Sequence, residues 1–213
     1  MRVATYNVHD CVGQDGRYDP ARINRILIRL NADVIALQEI ALDHAGDLLD
    51  QLHADTKLHP IDGSLFERGV GRYGNVLLTR VSARHSQVID LSLPGCEPRG
   101  AIEAKLMHEG KSLRCVATHL GLSRRERVEQ IIRLAIHLSS DRDPLLMLGD
   151  FNLWLHSKAL APLREMGLRQ CAVRSFPTRP IPMVSLDRVL VSAPLKVASD
   201  HYPIVADVSV EHL

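Results

Sequence analysis

The chain alternates two hydrophobic patterns. Short, nearly continuous apolar runs bounded by polar or turn-forming residues mark strands, and stretches in which apolar residues return every three or four positions mark helices. Residues 1–8 form a first strand-like run, followed by a polar, glycine-containing loop from His9 to Tyr18. Asp19-Pro20 places an N-cap residue before a proline at the first helical position. Ile23, Ile26, Leu27 and Leu30 then line one face of a helix that Asn31 closes. The run Asp33 to Glu39 reads as a strand buried on both faces. A second helix is predicted from Asp43 to His53, with Leu48, Leu49 and Leu52 inward.

The middle is rich in strands: Asn75 to Arg80, Ala83 to Leu91, Ala101 to His108 and Ser112 to Thr118. Glu109-Gly110-Lys111 turns the last two into a hairpin. Phe66 to Tyr73, with Arg68, Gly69, Gly71 and Arg72, reads as a mobile loop. Ser123-Arg124-Arg125-Glu126 has the spacing of a capping box, and Val128, Ile131, Ile132, Ala135 and Leu138 give the helix it opens an apolar face. Leu145 to Leu148 is another strand, and a short helix from Ser157 to Met166 ends at Gly167. Val184 to Val191 and Ile204 to Val210 supply the last strands, after a proline-containing connection from Val173 to Met183. No repeat or flexible linker divides the chain. One α/β domain over residues 1–213 is expected, with two packed sheets and helices outside.

Composition adds exclusions. The 213 residues are 46% hydrophobic, 24% charged and only 4% aromatic, so the core must rest on Leu, Ile, Val and Ala. A net charge of +1 and a pI near 7.8 exclude a broadly basic nucleic-acid coat, while leaving room for a local basic groove. Cys11, Cys96, Cys115 and Cys171 are scattered without a C-x-x-C pair, as expected of incidental thiols in a reducing compartment. No apolar stretch resembles a leader or a membrane span, and a cytoplasmic location is the expectation.

The candidate chemistry falls at strand ends, where α/β proteins build their sites. Asn7 closes the first strand and Glu39 the second; His119 ends the strand before the capping box; Asp150 and Asn152 follow Leu148-Gly149. Asp187 sits in Ser185-Leu186-Asp187-Arg188, and Asp200-His201 lie between the last two strands. Taken singly, each is more often a turn former or a cap. Together they carry the residue types that one mechanism needs.

The ordered set Thr5-Tyr6-Asn7-Val8-His9, Leu37-Gln38-Glu39, Gly74-Asn75, Pro98-Arg99-Gly100-Ala101, Thr118-His119-Leu120, Gly149-Asp150-Phe151-Asn152, Leu186-Asp187-Arg188-Val189 and Ser199-Asp200-His201-Tyr202-Pro203 resembles the endonuclease/exonuclease/phosphatase, or deoxyribonuclease-I-like, superfamily. The resemblance implies a four-layer α/β/β/α sandwich of two mixed sheets with outer helices and the site at one sheet edge. It also implies divalent-metal-dependent hydrolysis of a phosphodiester or phosphomonoester. Glu39 is then the metal ligand, its hard carboxylate suited to Mg2+, with Mn2+ as a substitute. Asn7 orients that ligand or binds the metal through its carbonyl oxygen, and Asp200 holds a second metal or orients His201. Asp187 fixes the His201 tautomer. Either His201 is the base for the attacking water, or it holds the phosphate while Asp150 activates the water. Asn152 donates an amide N–H to the charge developing on phosphorus, and His119 is a general acid or a phosphate contact. Arg99 and Asn75 are substrate contacts of lesser weight.

Arg124, Arg125 and Arg127, with Arg133 further on, make the helix after His119 basic. That is either a solvated face or, at Arg124, a contact to a phosphate backbone or an anionic headgroup. Trp154 either stacks on a base or packs beneath the site. The chain is short, without room for the long insertions of DNA-repair members. The leading expectation is a monomeric, metal-dependent DNA endonuclease with little sequence preference. The alternative is a phosphoesterase acting on a lipid headgroup, an inositol phosphate or another small phosphoester. A non-catalytic binding module that kept the fold is weaker, since Glu39, Asp150 and His201 are all present.

Overall fold

In the strand Leu145–Asp150, Leu146 and Leu148 point to one side and Leu145 and Met147 to the other, and all four are buried. A strand that is apolar on both faces must be covered on both, and that requirement sets the layers of the molecule. A computed structural model describes residues 1–43, 47–69, 71–153, 158–172, 186–197 and 205–210. Its first half runs β1 (Arg2–Asn7), α1 (Pro20–Leu30), β2 (Val34–Asp43), α2 (Asp47–Thr56), β3 (His59–Arg68), β4 (Gly71–Thr79) and β5 (His85–Asp90). Then follow β6 (Gly100–His108), β7 (Lys111–His119), α3 (Arg124–Leu138), β8 (Leu145–Asp150), α4 (Ala161–Glu165), β9 (Arg169–Ala172), β10 (Asp187–Val191), β11 (Leu195–Val197) and β12 (Val205–Val210).

Among the described residues the strands form two six-stranded sheets, in the orders β11-β12-β1-β2-β4-β3 and β5-β6-β7-β8-β10-β9. Both sheets have the same plan. Each has one parallel pair at its centre, β1 with β2 and β7 with β8, flanked by antiparallel neighbours. Parallel neighbours need a crossover, and α1 and α3 supply it. Three apolar clusters fill the spaces. Val3, Val34, Ala36 and Leu77 of the first sheet meet Ile102, Cys115, Leu148 and Val189 of the second. Ile23, Leu27 and Leu52 of α1 and α2 cover the outer face of the first sheet, and Ile131, Leu134 and Leu163 of α3 and α4 cover that of the second. The result is the expected α/β/β/α sandwich. Local signals start its helices: the Asp19 carboxylate accepts the Arg22 N–H at 2.9 Å, and Ser123 and Glu126 close a reciprocal capping box.

Several boundaries differ from the sequence reading. β2 runs on to Asp43, so α2 begins at Asp47, and Glu39 lies inside the strand rather than closing it. Of the segment from Phe66 to Tyr73, expected as a mobile loop, Phe66 to Arg68 instead belong to β3 and Gly71 to Tyr73 to β4, paired with each other. β3 gave no apolar signal because it is an edge strand containing Pro60, Asp62 and Gly63, and most of it is only half buried. The short strands β9 and β11 were also missed. Cys11, Cys96 and Cys115 are free thiols; burial pushes Cys11 up to about 11 and Cys115 higher still, which makes both inert. Trp154, Asp200 and His201 lie outside the described residues, as does the connection from Val173 to Met183.

Candidate active site

Strands that run parallel present their carboxyl ends at the same edge, and here two such pairs are stacked. Asn7 is the last residue of β1, His119 of β7 and Asp150 of β8, and β1 packs against β8. The pairing of β7 with β8 sets His119 beside Asp150, and that of β8 with β10 sets Asp187 on its other side. Gly149 permits this: its φ is +149°, and a Cβ there would collide with the Thr118 carbonyl.

Glu39 reaches the same edge by a different device. The β2–β4 register shifts between Leu37 and Ile40, and Glu39 sits in this bulge with φ +58°. A left-handed non-glycine residue costs about 1–3 kcal/mol and persists only where its surroundings hold it. Here Asn7 donates from Nδ2 to Glu39 Oε1 at 2.8 Å and to Asp150 Oδ2 at 3.2 Å, linking a carboxylate of each sheet. The Asn7 amide is held in that orientation because its Oδ1 accepts the His9 N–H at 3.0 Å. Glu39 Oε2 accepts the Tyr73 hydroxyl at 3.4 Å and lies 3.3 Å from His9 Nδ1. Burial raises the Glu39 carboxyl, but Asn7, His119 and His9 outweigh it and hold the group below its ordinary value, so it is anionic.

His119 is buried between Arg99 and the two carboxylates. Arg99 Nη1 lies 2.9 Å from its Nδ1, while Glu39 Oε1 and Asp150 Oδ2 each stand 3.9 Å from its Nε2. Burial, with the Arg99 charge, lowers the His119 pKa despite the upward pull of Asp150 and Glu39, and the ring is neutral. A guanidinium can only donate, and its contact at 2.9 Å is shorter than the 3.2 Å from the Asn152 side-chain nitrogen to Nε2, so Nδ1 is the acceptor and Nε2 carries the ring proton. Arg99 also pairs through Nη2 with Glu97 at 2.9 Å. Asn152, at φ +49°, donates its side-chain N–H to Leu120 O at 2.8 Å, and its backbone N–H to Asp150 Oδ1 at 2.8 Å. Phe151 anchors that turn in the core beneath α3, and the buried Arg188 holds Leu153 O at 2.8 Å.

Asn7, Glu39, His119, Asp150, Asn152 and Arg99 are thus one connected polar cluster, of which Glu39, Arg99 and His119 line a shallow, open cleft. Asn75 lines the cleft and donates to Gly100 O at 3.1 Å. Asp187 opens β10 alongside Asp150, and Arg124 stands exposed on the first turn of α3, outside the cluster. Sequence reasoning missed Tyr73 and the role of His9. Tyr73 was hidden in the supposed loop, and the left-handed turn that aims His9 leaves no periodic signal.

Among the described residues no group of three or more His, Cys, Asp or Glu side chains is spaced to hold a metal ion. The donors still fit a hard divalent cation, which binds through one or two carboxylates and keeps several waters. The anionic Glu39, with Asp150 joined to it through Asn7, offers hard carboxylate oxygens at the cleft.

The chain belongs to the Endonuclease/Exonuclease/phosphatase family, which it matches over residues 4–209. Members of this family are hydrolases acting on phosphoester bonds and generally use divalent metal ions. The uncharacterized protein YbhP of Escherichia coli K12 is 29% identical over 246 aligned residues, covering 98% of this chain and 96% of YbhP. The human Nocturnin catalytic domain has the same fold, with a TM-score of 0.76 and 20% identity over 99% of this chain and 94% of that one. So does the mannosyl-6-phosphatase Bt3783 of Bacteroides thetaiotaomicron, with a TM-score of 0.73 and 15% identity over 92% and 87% of the two chains.

Proposed function

We propose that this chain is a Mg2+-dependent phosphodiester hydrolase whose substrate is DNA, cut with little sequence preference. The observation that carries the reading is the amide of Asn7, which joins Glu39 of one sheet to Asp150 of the other beside a buried, neutral His119. Glu39 would hold the ion, which when bound neutralises charge developing on the phosphoryl group. Asn7 keeps the Glu39 carboxylate turned toward the cleft. His119 donates its Nε2 proton to a phosphoryl oxygen; a neutral imidazole is a poor general acid, so the contact role suits it better. Asn152 supplies a further N–H from a turn that Phe151 and Arg188 brace. Both Asp150 oxygens already accept hydrogen bonds, from Asn152 and Asn7, which favours His201, oriented by Asp187, as the base. Asp200 remains a candidate for a second ion.

Arg124 and Arg125, exposed on the helix that follows His119, favour a polyanionic substrate. A small phosphoester is the second reading, favoured by the modest cleft and by the Glu97 carboxylate paired with Arg99 near its rim. Purified protein with Mg2+, offered plasmid DNA and a panel of small phosphoesters, separates the two. Cleavage of DNA that EDTA and Glu39→Gln both abolish supports the first. Turnover of a small phosphoester without DNA cleavage replaces it with the second.

A further inference from the structure

We propose that His9 is a second side-chain ligand of the divalent cation held by Glu39, and that its imidazole strengthens the binding of first-row transition ions relative to that of Mg2+. The inference rests on the metal-dependent reading above and concerns a residue that reading does not use.

His9, Asp10 and Cys11 have φ of +49°, +55° and +58°, three consecutive non-glycine residues in the left-handed region. Each costs roughly 1–2 kcal/mol there. The turn is held closed by Cys11 N–H to Val8 O at 3.0 Å and Val12 N–H to His9 O at 2.9 Å, with the Cys11 side chain buried under it. Such a turn does not arise by default in a polar loop; its effect is to aim one residue. The His9 N–H fixes the Asn7 amide, and the His9 ring faces Glu39, with Nδ1 3.3 Å from Oε2, which the Tyr73 hydroxyl also reaches at 3.4 Å. The other oxygen, Oε1, already accepts from Asn7. Adjacent corners of an octahedral shell with bonds near 2.1 Å lie about 3 Å apart, so the two donor atoms are spaced as neighbouring ligands of one ion. The ring is 78% exposed, so no packing against the core accounts for its position. An imidazole in place of an oxygen ligand lowers the preference for Mg2+ relative to transition ions.

Mn2+ is the probe. The full chain with bound Mn2+ should show 14N modulation in its electron spin echo, and His9→Asn should abolish it while Mn2+ still binds. Asparagine tolerates the left-handed backbone, so the turn survives the substitution. The Mn2+ Kd should rise about tenfold in that variant, with a smaller change for competing Mg2+. A bound Mn2+ without 14N modulation in the parent, or modulation that survives His9→Asn, overturns the inference. If Glu39→Gln nonetheless removes Mn2+ binding, the metal-dependent reading stands alone; if Glu39→Gln binds Mn2+ undiminished, both fall.

Discussion

Arg99 determines which nitrogen of His119 holds the ring proton, because its Nη1 sits 2.9 Å from Nδ1 and has nothing to accept with. Burial and then the Arg99 charge keep this histidine below its ordinary pKa, against Asp150 and Glu39. Arg99→Met removes one of the two lowering causes and leaves both carboxylates in place. The His119 pKa should therefore rise, and the ring should charge at a higher pH than in the parent. Imidazole resonances followed through a pH titration report this directly. An unmoved His119 would show that burial alone sets its charge.

Glu39 should be the point at which stability and activity separate. Glu39→Gly relieves the strain of φ +58°, whereas Glu39→Ala keeps it, so the glycine variant should be the more stable of the two by about 1 kcal/mol. Both should lose nearly all hydrolysis. Chemical denaturation of the pair, set beside their turnover, checks the point; a glycine variant no more stable than the alanine would mean the bulge is unstrained.

Away from the site, Glu103 is buried beneath α3, accepting from Arg114 Nε at 2.7 Å, Gln87 at 2.8 Å and His137 at 2.9 Å. Burial raises its carboxyl, but His137, Arg114 and Gln87 together pull it below the usual value. A depressed carboxyl contributes stability that is present above its unfolded pKa and is lost as pH falls through the folded one. Glu103→Gln leaves the buried Arg114 with only the more distant Asp141 carboxylate, 4.0 Å from its Nε, as a counter-charge and should cost about 3 kcal/mol at pH 7. The gap between parent and variant should narrow as the pH is lowered below 4. Denaturant midpoints at several pH values test both the size and the sign.

Substrate choice turns on the first turn of α3. If DNA is the substrate, affinity should fall with salt at about −0.9 per phosphate contact, with about two to four contacts in all. Arg124→Glu with Arg125→Glu should weaken DNA cleavage at low salt and leave hydrolysis of a small model diester nearly unchanged. DNA cleavage equal to the parent's would reduce this helix face to a solvated one.

Much of the site could be read from the chain because Asn7, His119 and Asp150 end runs of alternating inward and outward apolar residues, and such runs stop where the sheet does. The start of α3 was legible for a local reason, since Ser123 and Glu126 satisfy each other. Glu39 was placed at the right edge for the wrong reason. A bulge depends on the partner strand, and nothing near Leu37 announces that Gly74 will pair with Ile40. β3 failed for a related cause: an edge strand needs only one neighbour, so its residues need not be apolar. Tyr73 was lost with it.

The Glu39 half of the cluster comes from one sheet and the Asp150 half from the other, with the Asn7 amide as the direct bond between the two carboxylates. The catalytic spacing is therefore a vernier on the slip between the two layers. Trimming a side chain deep in the intervening core, such as Leu77 or Ile102, should misalign that scale and silence the protein at temperatures where it is still fully folded.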